Sequence, residues 1–221
     1  DIIHNEEKHE MNSLVRKTEM FGSPPYDRTL WLDLDTIVCG DITEMFDNLD
    51  NSDVCIPCFC DWVSTGKAIS GRIKKFQGLA EDRHMELALK DFPAINTGVL
   101  SFRKSDKWIE FVKYWLNLAN RADKERRVFI ADEIAGQVLF PSLSEWDLKL
   151  LVCDKKFNVS VRYGKDVQDK RLCHFHGQKH VGDFALSYMW KDVFNEMCDK
   201  NIANINSFLK YLFTHQYKKR N

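Results

Sequence analysis

The stretch Leu30-Trp31-Leu32-Asp33-Leu34-Asp35-Thr36-Ile37-Val38 is an apolar, partly β-branched run broken by two carboxylates two positions apart. Residues i and i+2 of a strand share a face, so a regular extended strand would aim Asp33 and Asp35 the same way. Buried carboxylates are costly unless a cation or hydrogen bonds compensate them. The apolar lead-in places the pair at the carboxyl end of a buried strand, where open α/β sheets bind ligands. A hard divalent cation takes oxygen ligands, and two carboxylates leave it positions for phosphate oxygens. The same aspartates would also serve to cap a turn, pair with Lys or Arg, or sit in solvent at the strand end. The motif alone does not decide between them.

Working outward, 221 residues suit one domain with a sizeable core, and 44% hydrophobic with 12% aromatic residues fits a folded globule. Thirty-two basic and 33 acidic residues leave a formal charge of −1, which gives no case for a nucleic-acid partner. No apolar stretch reaches membrane-spanning length, and the opening D-I-I-H-N-E-E-K-H-E is not a signal peptide. Seven scattered cysteines, an odd count, favour reduced thiols and a cytoplasmic setting. Cys55, Cys58 and Cys60 raise structural zinc, but no second cysteine pair stands elsewhere and four ligands are the norm, so packed thiols are expected. The sequon Asn158-Val159-Ser160 carries no meaning in a cytosolic chain.

Met11, Leu14, Val15, Thr18 and Phe21 give residues ~8–21 a helical face, ended by Gly22-Ser23-Pro24-Pro25. Gly40 to Phe46 predicts a turn and a short helix, and Val54-Cys55-Ile56 a second strand. Residues ~62–92 are weakly patterned and basic, a mobile excursion with some helix around 81–89. Ala94-Ile95-Asn96-Thr97-Gly98-Val99-Leu100-Ser101-Phe102 predicts a third strand carrying an Asn and a Gly. Trp108, Ile109, Phe111, Val112, Trp115 and Leu116 mark an amphipathic helix, and another runs from Asp132-Glu133 to a stop at Pro141. Short strands are expected at 148–152 and 159–161. Strands alternating with helices imply one α/β domain over residues 1–221, with a helical C-terminal portion, 185–221, packed on it. The tail's Phe208, Leu209, Tyr211, Leu212 and Phe213 ahead of Lys218-Lys219-Arg220 are expected to dock on the core, peripheral membrane contact being the alternative.

Cys173-His174-Phe175-His176-Gly177-Gln178-Lys179-His180 is the densest remaining cluster, read as a loop. An imidazole there can supply a third metal ligand, the glycine admits close backbone approach to phosphate, and Lys or His adds positive charge.

Taken in order, L-W-L-D-L-D-T-I-V-C-G-D-I-T-E-M-F, I-N-T-G-V-L-S-F, A-D-E-I-A-G-Q-V-L and H-F-H-G-Q-K-H resemble the GT-A glycosyltransferases. The likeness is to the glycogenin-like, family 8-type enzymes and their bacterial and viral relatives. The helix R-K-T-E-M-F and P-Y-D-R ahead of the first strand fit as well, so the resemblance covers residues ~12–180. It implies a GT-A, Rossmann-like mixed sheet flanked by helices. It implies an enzyme that moves a sugar from a nucleoside diphosphate sugar, a uridine one, to a glycan, protein or lipid hydroxyl, with retention of configuration. Asp33, Asp35 and His174 would match its ligands for Mn2+ or Mg2+, Asp33 contacting the nucleotide as well. Asn96 and Gly98 would border the donor sugar, and Gly177, with Lys179 and His180, would meet the diphosphate. Asp132 matches the first residue of the family's D-Q pair, and Glu133 stands where the pair has a glutamine, both beside the reacting carbon. The lysine of the family's H-x-x-G-x-x-K falls one place early, at Lys179, with His180 in its position. Only 32 residues precede Asp33, so part of the N-terminal nucleotide-binding half is expected to be lacking. The other readings are a haloacid dehalogenase-type phosphatase, in which Asp33 is the nucleophile and Asp35 the acid–base, and a non-catalytic sugar-nucleotide or glycan-binding remnant. The phosphatase motif wants a small residue and then Thr after its second Asp, where this chain has Thr36 and Ile37.

Overall fold

In the computed structural model, which describes residues 13–59, 66–90, 92–128, 130–160 and 167–174, the opening stretch forms two strands, not one. β1 (Arg28–Leu32) stops before the first aspartate and β2 (Thr36–Val38) starts after the second. Between them the chain turns, with the Thr36 amide and hydroxyl both donating to the Asp33 carbonyl at 3.0 and 2.7 Å. The two carboxylates therefore do not share a face through strand periodicity. They leave a turn, whose middle residue, Leu34, is 97% exposed.

β1 pairs antiparallel with β4 (Val99–Arg103), β4 antiparallel with β3 (Val54–Pro57), and β3 parallel with β5 (Leu150–Cys153), in the order β1-β4-β3-β5. All four residues of β3 are buried, as a strand covered on both faces should be. β1 is half-buried rather than buried, because it lies at the sheet edge. A second sheet places β7 (Leu172–His174) between β2, antiparallel, and β6 (Val159–Ser160), parallel. His174 thus ends a strand, opposite Thr36, rather than opening a loop.

The helices are α1 (Ser13–Phe21), α2 (Glu44–Asp47), α3 (Gly66–Ile73), α4 (Asp82–Leu89), α5 (Asp106–Arg126) and α6 (Ala131–Leu139). The expected mixed sheet flanked by helices is the one observed. α3 was not legible, since glycines at both Gly66 and Gly71 weaken its local preference. The strand expected from Ala94 begins only at Val99, because the Asn96 side chain accepts from the Gly98 amide at 2.9 Å and holds a turn in place of a ladder. α5 is capped by Ser105, whose hydroxyl accepts from the Trp108 amide at 3.1 Å, and closes on Arg127 in the left-handed region. Its buried side chains Trp108, Phe111, Val112, Trp115, Leu118 and Ala122 recur at helical spacing.

These rings form one aromatic slab with neighbouring elements. Trp108 stacks on Phe102 at 4.7 Å, and Trp115 meets Phe21 at 5.2 Å and Phe140 at 5.0 Å. Both buried indoles keep a partner for their N–H, Trp108 on the Phe21 carbonyl and Trp115 on the Asp132 carbonyl at 2.9 Å. α6 can lie this close because Gly136 faces Trp115; a Cβ there would sit 3.1 Å from the indole ring. The core thereby fixes the first turn of α6.

Cys55 is buried against Cys153, and Cys39 bonds Cys173, so these thiols pack in pairs; Cys60 lies outside the described residues. None of the five described cysteines is in a disulfide. Among the described residues no helix is long and apolar enough to cross a membrane. The C-terminal portion, 185–221, and its tail lie outside the described residues.

Candidate metal centre

The β2–β7 pairing that sets Thr36 opposite His174 brings that histidine over the β1–β2 turn. One ligand atom each from Asp33, Asp35 and His174 falls within 4.8 Å of the others. His174 is 1% exposed, and its Nε2 is 3.1 Å from Asp35 Oδ1. Its Nδ1 is 3.0 Å from Asn158 Oδ1, while the Asn158 amide nitrogen donates to the Asn96 carbonyl and to Asn96 Oδ1. Asn158 thus holds the far side of the ring, and Nε2 is turned toward the Asp35 carboxylate. An imidazole whose far nitrogen is held by an amide, beside two carboxylates, is a donor set that suits Mn2+ or Mg2+ with a mixed oxygen and nitrogen shell. The edge of Phe59, 6.4 Å from the imidazole by centroids, covers one side.

Gly98 makes this convergence possible. A Cβ on Gly98 would stand 2.3 Å from His174 Cε1, 2.8 Å from Asn96 Oδ1 and 2.9 Å from Asp33 Oδ2. No side chain fits there. The Gly98 carbonyl accepts from the Asp33 amide at 2.8 Å, tying the turn to the segment that carries Asn96.

A second acidic pair stands beside the first. Asp132 and Glu133 open α6, where carboxylates are favoured by the helix dipole. Asp132 is 2% exposed, and its Oδ2 accepts from the Thr97 hydroxyl at 3.1 Å. Lys17 of α1 joins the two groups, its Nζ lying 3.2 Å from both Asp33 Oδ2 and Asp132 Oδ2. Burial pulls the Lys17 pKa down, but the carboxylates of Asp132 and Asp33 outweigh it and raise the net value, so the ammonium stays charged. The Trp31 indole donates to the other oxygen of Asp33 at 2.8 Å. Glu133 accepts from the Asn96 amide and lies 3.7 Å from Arg72. Burial, then the neighbouring Asp132, pushes its pKa up to about 7. Asp33, Asp35 and Asp132, with Glu133 only partly charged near neutrality, thus face Lys17 and Arg72, a local negative excess that a divalent ion would offset.

Of the residues singled out in the sequence, the structure brings together Asp33, Asp35, His174, Asn96, Gly98, Asp132 and Glu133. Gly177, Lys179 and His180 lie outside the described residues. Lys17, Asn158, Arg72 and Trp31 join the site without a signal in the sequence that singled them out as site residues. Lys17 left one trace, a lysine on the same helical stripe as Leu14, Thr18 and Phe21.

No protein-family model and no curated protein sequence matches the chain. Among solved structures it is similar to mouse xyloside xylosyltransferase 1 in its apo form, at 14% identity and a TM-score of 0.48, over 75% of this chain and 63% of that one. It is also similar to galactosyltransferase LgtC in complex with donor and acceptor sugar analogs, at 14% identity and a TM-score of 0.45, over 74% of this chain and 58% of that one. The chain spans less than two thirds of the length of either.

Proposed function

We propose that this chain transfers a sugar from a nucleoside diphosphate sugar, a uridine one, to a hydroxyl acceptor with the help of a divalent cation. The observation that carries the reading is the convergence of Asp33, Asp35 and His174 behind Gly98, in a chain whose four ordered motifs resemble GT-A enzymes. Those three side chains would hold Mn2+ or Mg2+. When bound, the cation supplies Lewis-acid stabilisation of the charge that develops on the diphosphate leaving group.

The chain's own groups divide the remaining work. Lys17 fixes Asp33 and Asp132 relative to each other, so the metal end and the sugar end move as one. Asp132, anchored by Thr97 and Lys17, presents a fixed carboxylate to donor-sugar hydroxyls. Glu133 occupies the place of an amide in the resembled pattern. With its pKa raised to about 7, the carboxyl is largely neutral below that pH and then both donates and accepts, as an amide does. Asn96 holds it in place. By the same resemblance the anomeric configuration is retained, and the odd count of seven scattered cysteines supports a cytoplasmic setting.

Calorimetry with UDP tests the reading. Binding is expected with Mn2+ and not with EDTA, and Asp35→Ala should weaken it by about 100-fold or more while leaving the far-UV spectrum unchanged. Equal metal-dependent UDP binding by wild type and Asp35→Ala would overturn the metal assignment.

A further inference from the structure

A second concavity, of about 540 Å3, is built from the start of α4, the first turns of α5 and the end of the 3-10 stretch that follows α6, none of which supplies a side chain to the metal centre. Its wall is aromatic. Tyr114 and Trp146, both half-buried, stand 5.5 Å apart by centroids, and Trp146 is braced edge-on by Phe111 at 5.8 Å. Its rim is charged but largely paired within itself. Arg83 bonds Glu81 at 3.0 Å and Glu145 at 3.2 Å, and Lys107 bonds Asp147 at 3.1 Å. Four carboxylates, Glu81, Glu110, Glu145 and Asp147, outnumber the two cations, but three of them are held by Arg83 or Lys107, so the rim presents donors and acceptors side by side with a modest acidic surplus. At its base His84, 1% exposed, has an Nδ1 with no hydrogen-bond partner among the described residues, while its Nε2 is 3.4 Å from Glu145.

Aromatic faces flanked by planar carboxylate and guanidinium groups suit a ligand with an apolar C–H face and a rim of hydroxyls, each able to donate and accept. The volume lies within the range of pockets that hold small-molecule ligands. We infer that this groove binds a neutral oligosaccharide, independently of the metal centre. The chain from Glu133 to Trp146 is helical nearly throughout, which sets the separation of the two sites at roughly 25 Å or less, from a rise of about 1.5–2.0 Å per residue. The groove's use as an anchor for a glycan acceptor rests on the sugar-transfer reading; its binding of sugar does not.

The experiment titrates the full chain, in EDTA, with maltotetraose, xylotetraose and chitotetraose, reading tryptophan fluorescence and calorimetric heat. At least one tetrasaccharide should bind saturably, with unchanged affinity in Asp35→Ala. Arg83→Ala, at a side chain 61% exposed and so safe for folding, and Trp146→Ala should each weaken it by about tenfold or more. The inference is overturned if no tetrasaccharide binds at about 10 mM, if both variants bind as wild type does, or if tetralysine binds in their place. Loss of sugar binding in Asp35→Ala would move the sugar to the metal centre and overturn it as well. Failure of metal-dependent UDP binding with sugar binding intact would instead strike only the transferase reading.

Discussion

The aromatic slab along α5 and the small sheet of β2, β7 and β6 both bury side chains, yet with opposite chemistry. The slab buries Trp108, Phe111, Trp115 and Phe140, with each indole N–H placed on one carbonyl. The small sheet and the segment leading into it bury Asn158, Ser160 and His174, with His174 set between Asn158 and the Asp35 carboxylate. Burial of apolar rings stabilises the fold outright. Burial of polar groups is tolerated only where partners satisfy them. The two regions meet at the start of α6, where Trp115 holds the Asp132 carbonyl and Lys17 holds its carboxylate, and again at Trp31, which packs on Phe21 and donates to Asp33. Apolar burial is thus concentrated in one region and potential ligand groups in the other, with the start of α6 between them.

That division can be broken most sharply at Trp115. Trp115→Ala should lower unfolding free energy by about 3–5 kcal/mol in a urea titration, the usual cost of emptying such a site. If metal-dependent UDP affinity of the still-folded protein falls as well by tenfold, the slab and the site are one unit. A smaller loss is expected from Lys17→Met, about 3 kcal/mol, because it strands Asp33 and Asp132 beside each other. Here Mn2+ should recover part of the loss, giving a larger metal-induced rise in melting temperature than in wild type. An equal or smaller rise would mean that Lys17 and the metal do not share the same excess charge.

The smallest effect concerns Glu133. Its folded pKa of about 7 lies above the ordinary value of 4.5, so the folded state holds its proton more tightly than the unfolded one. The stability this confers is fully present below pH ~4.5 and is lost as pH rises through about 7. Glu133→Gln should remove a decline of about 2 kcal/mol across that window, allowing for the partial exposure of the carboxyl. Melting temperatures of both proteins from pH 5 to 8 would show it, and parallel curves would refute it.

Local pattern carried much of this architecture. The stripe of α5, the buried run of β3 and the acidic start of α6 each follow from residues close in sequence. The convergence of Asp33, Asp35 and His174 was also legible, though for an imperfect reason: Asp33 and Asp35 come together through a turn fixed by Thr36, not through strand alternation. What stayed hidden acts across long separations by side-chain bonds. Lys17 reaches Asp132 from a different helix, and a lysine on an apolar stripe looks the same whether its tip meets solvent or a carboxylate. Asn158, set aside within its sequon, orients His174 from sixteen positions away. Neither bond leaves a periodic trace.

Gly98 has a consequence for how this protein would be mapped by replacement. Every other amino acid brings the Cβ that collides with His174, so position 98 admits no graded series of variants, only presence or absence of the pocket. An alanine scan would rank it with Asp33, Asp35 and His174, although among the described residues its backbone bonds are to Asp33 and Asn96. What position 98 contributes is the side chain it lacks, and a catalogue of side chains would not contain it.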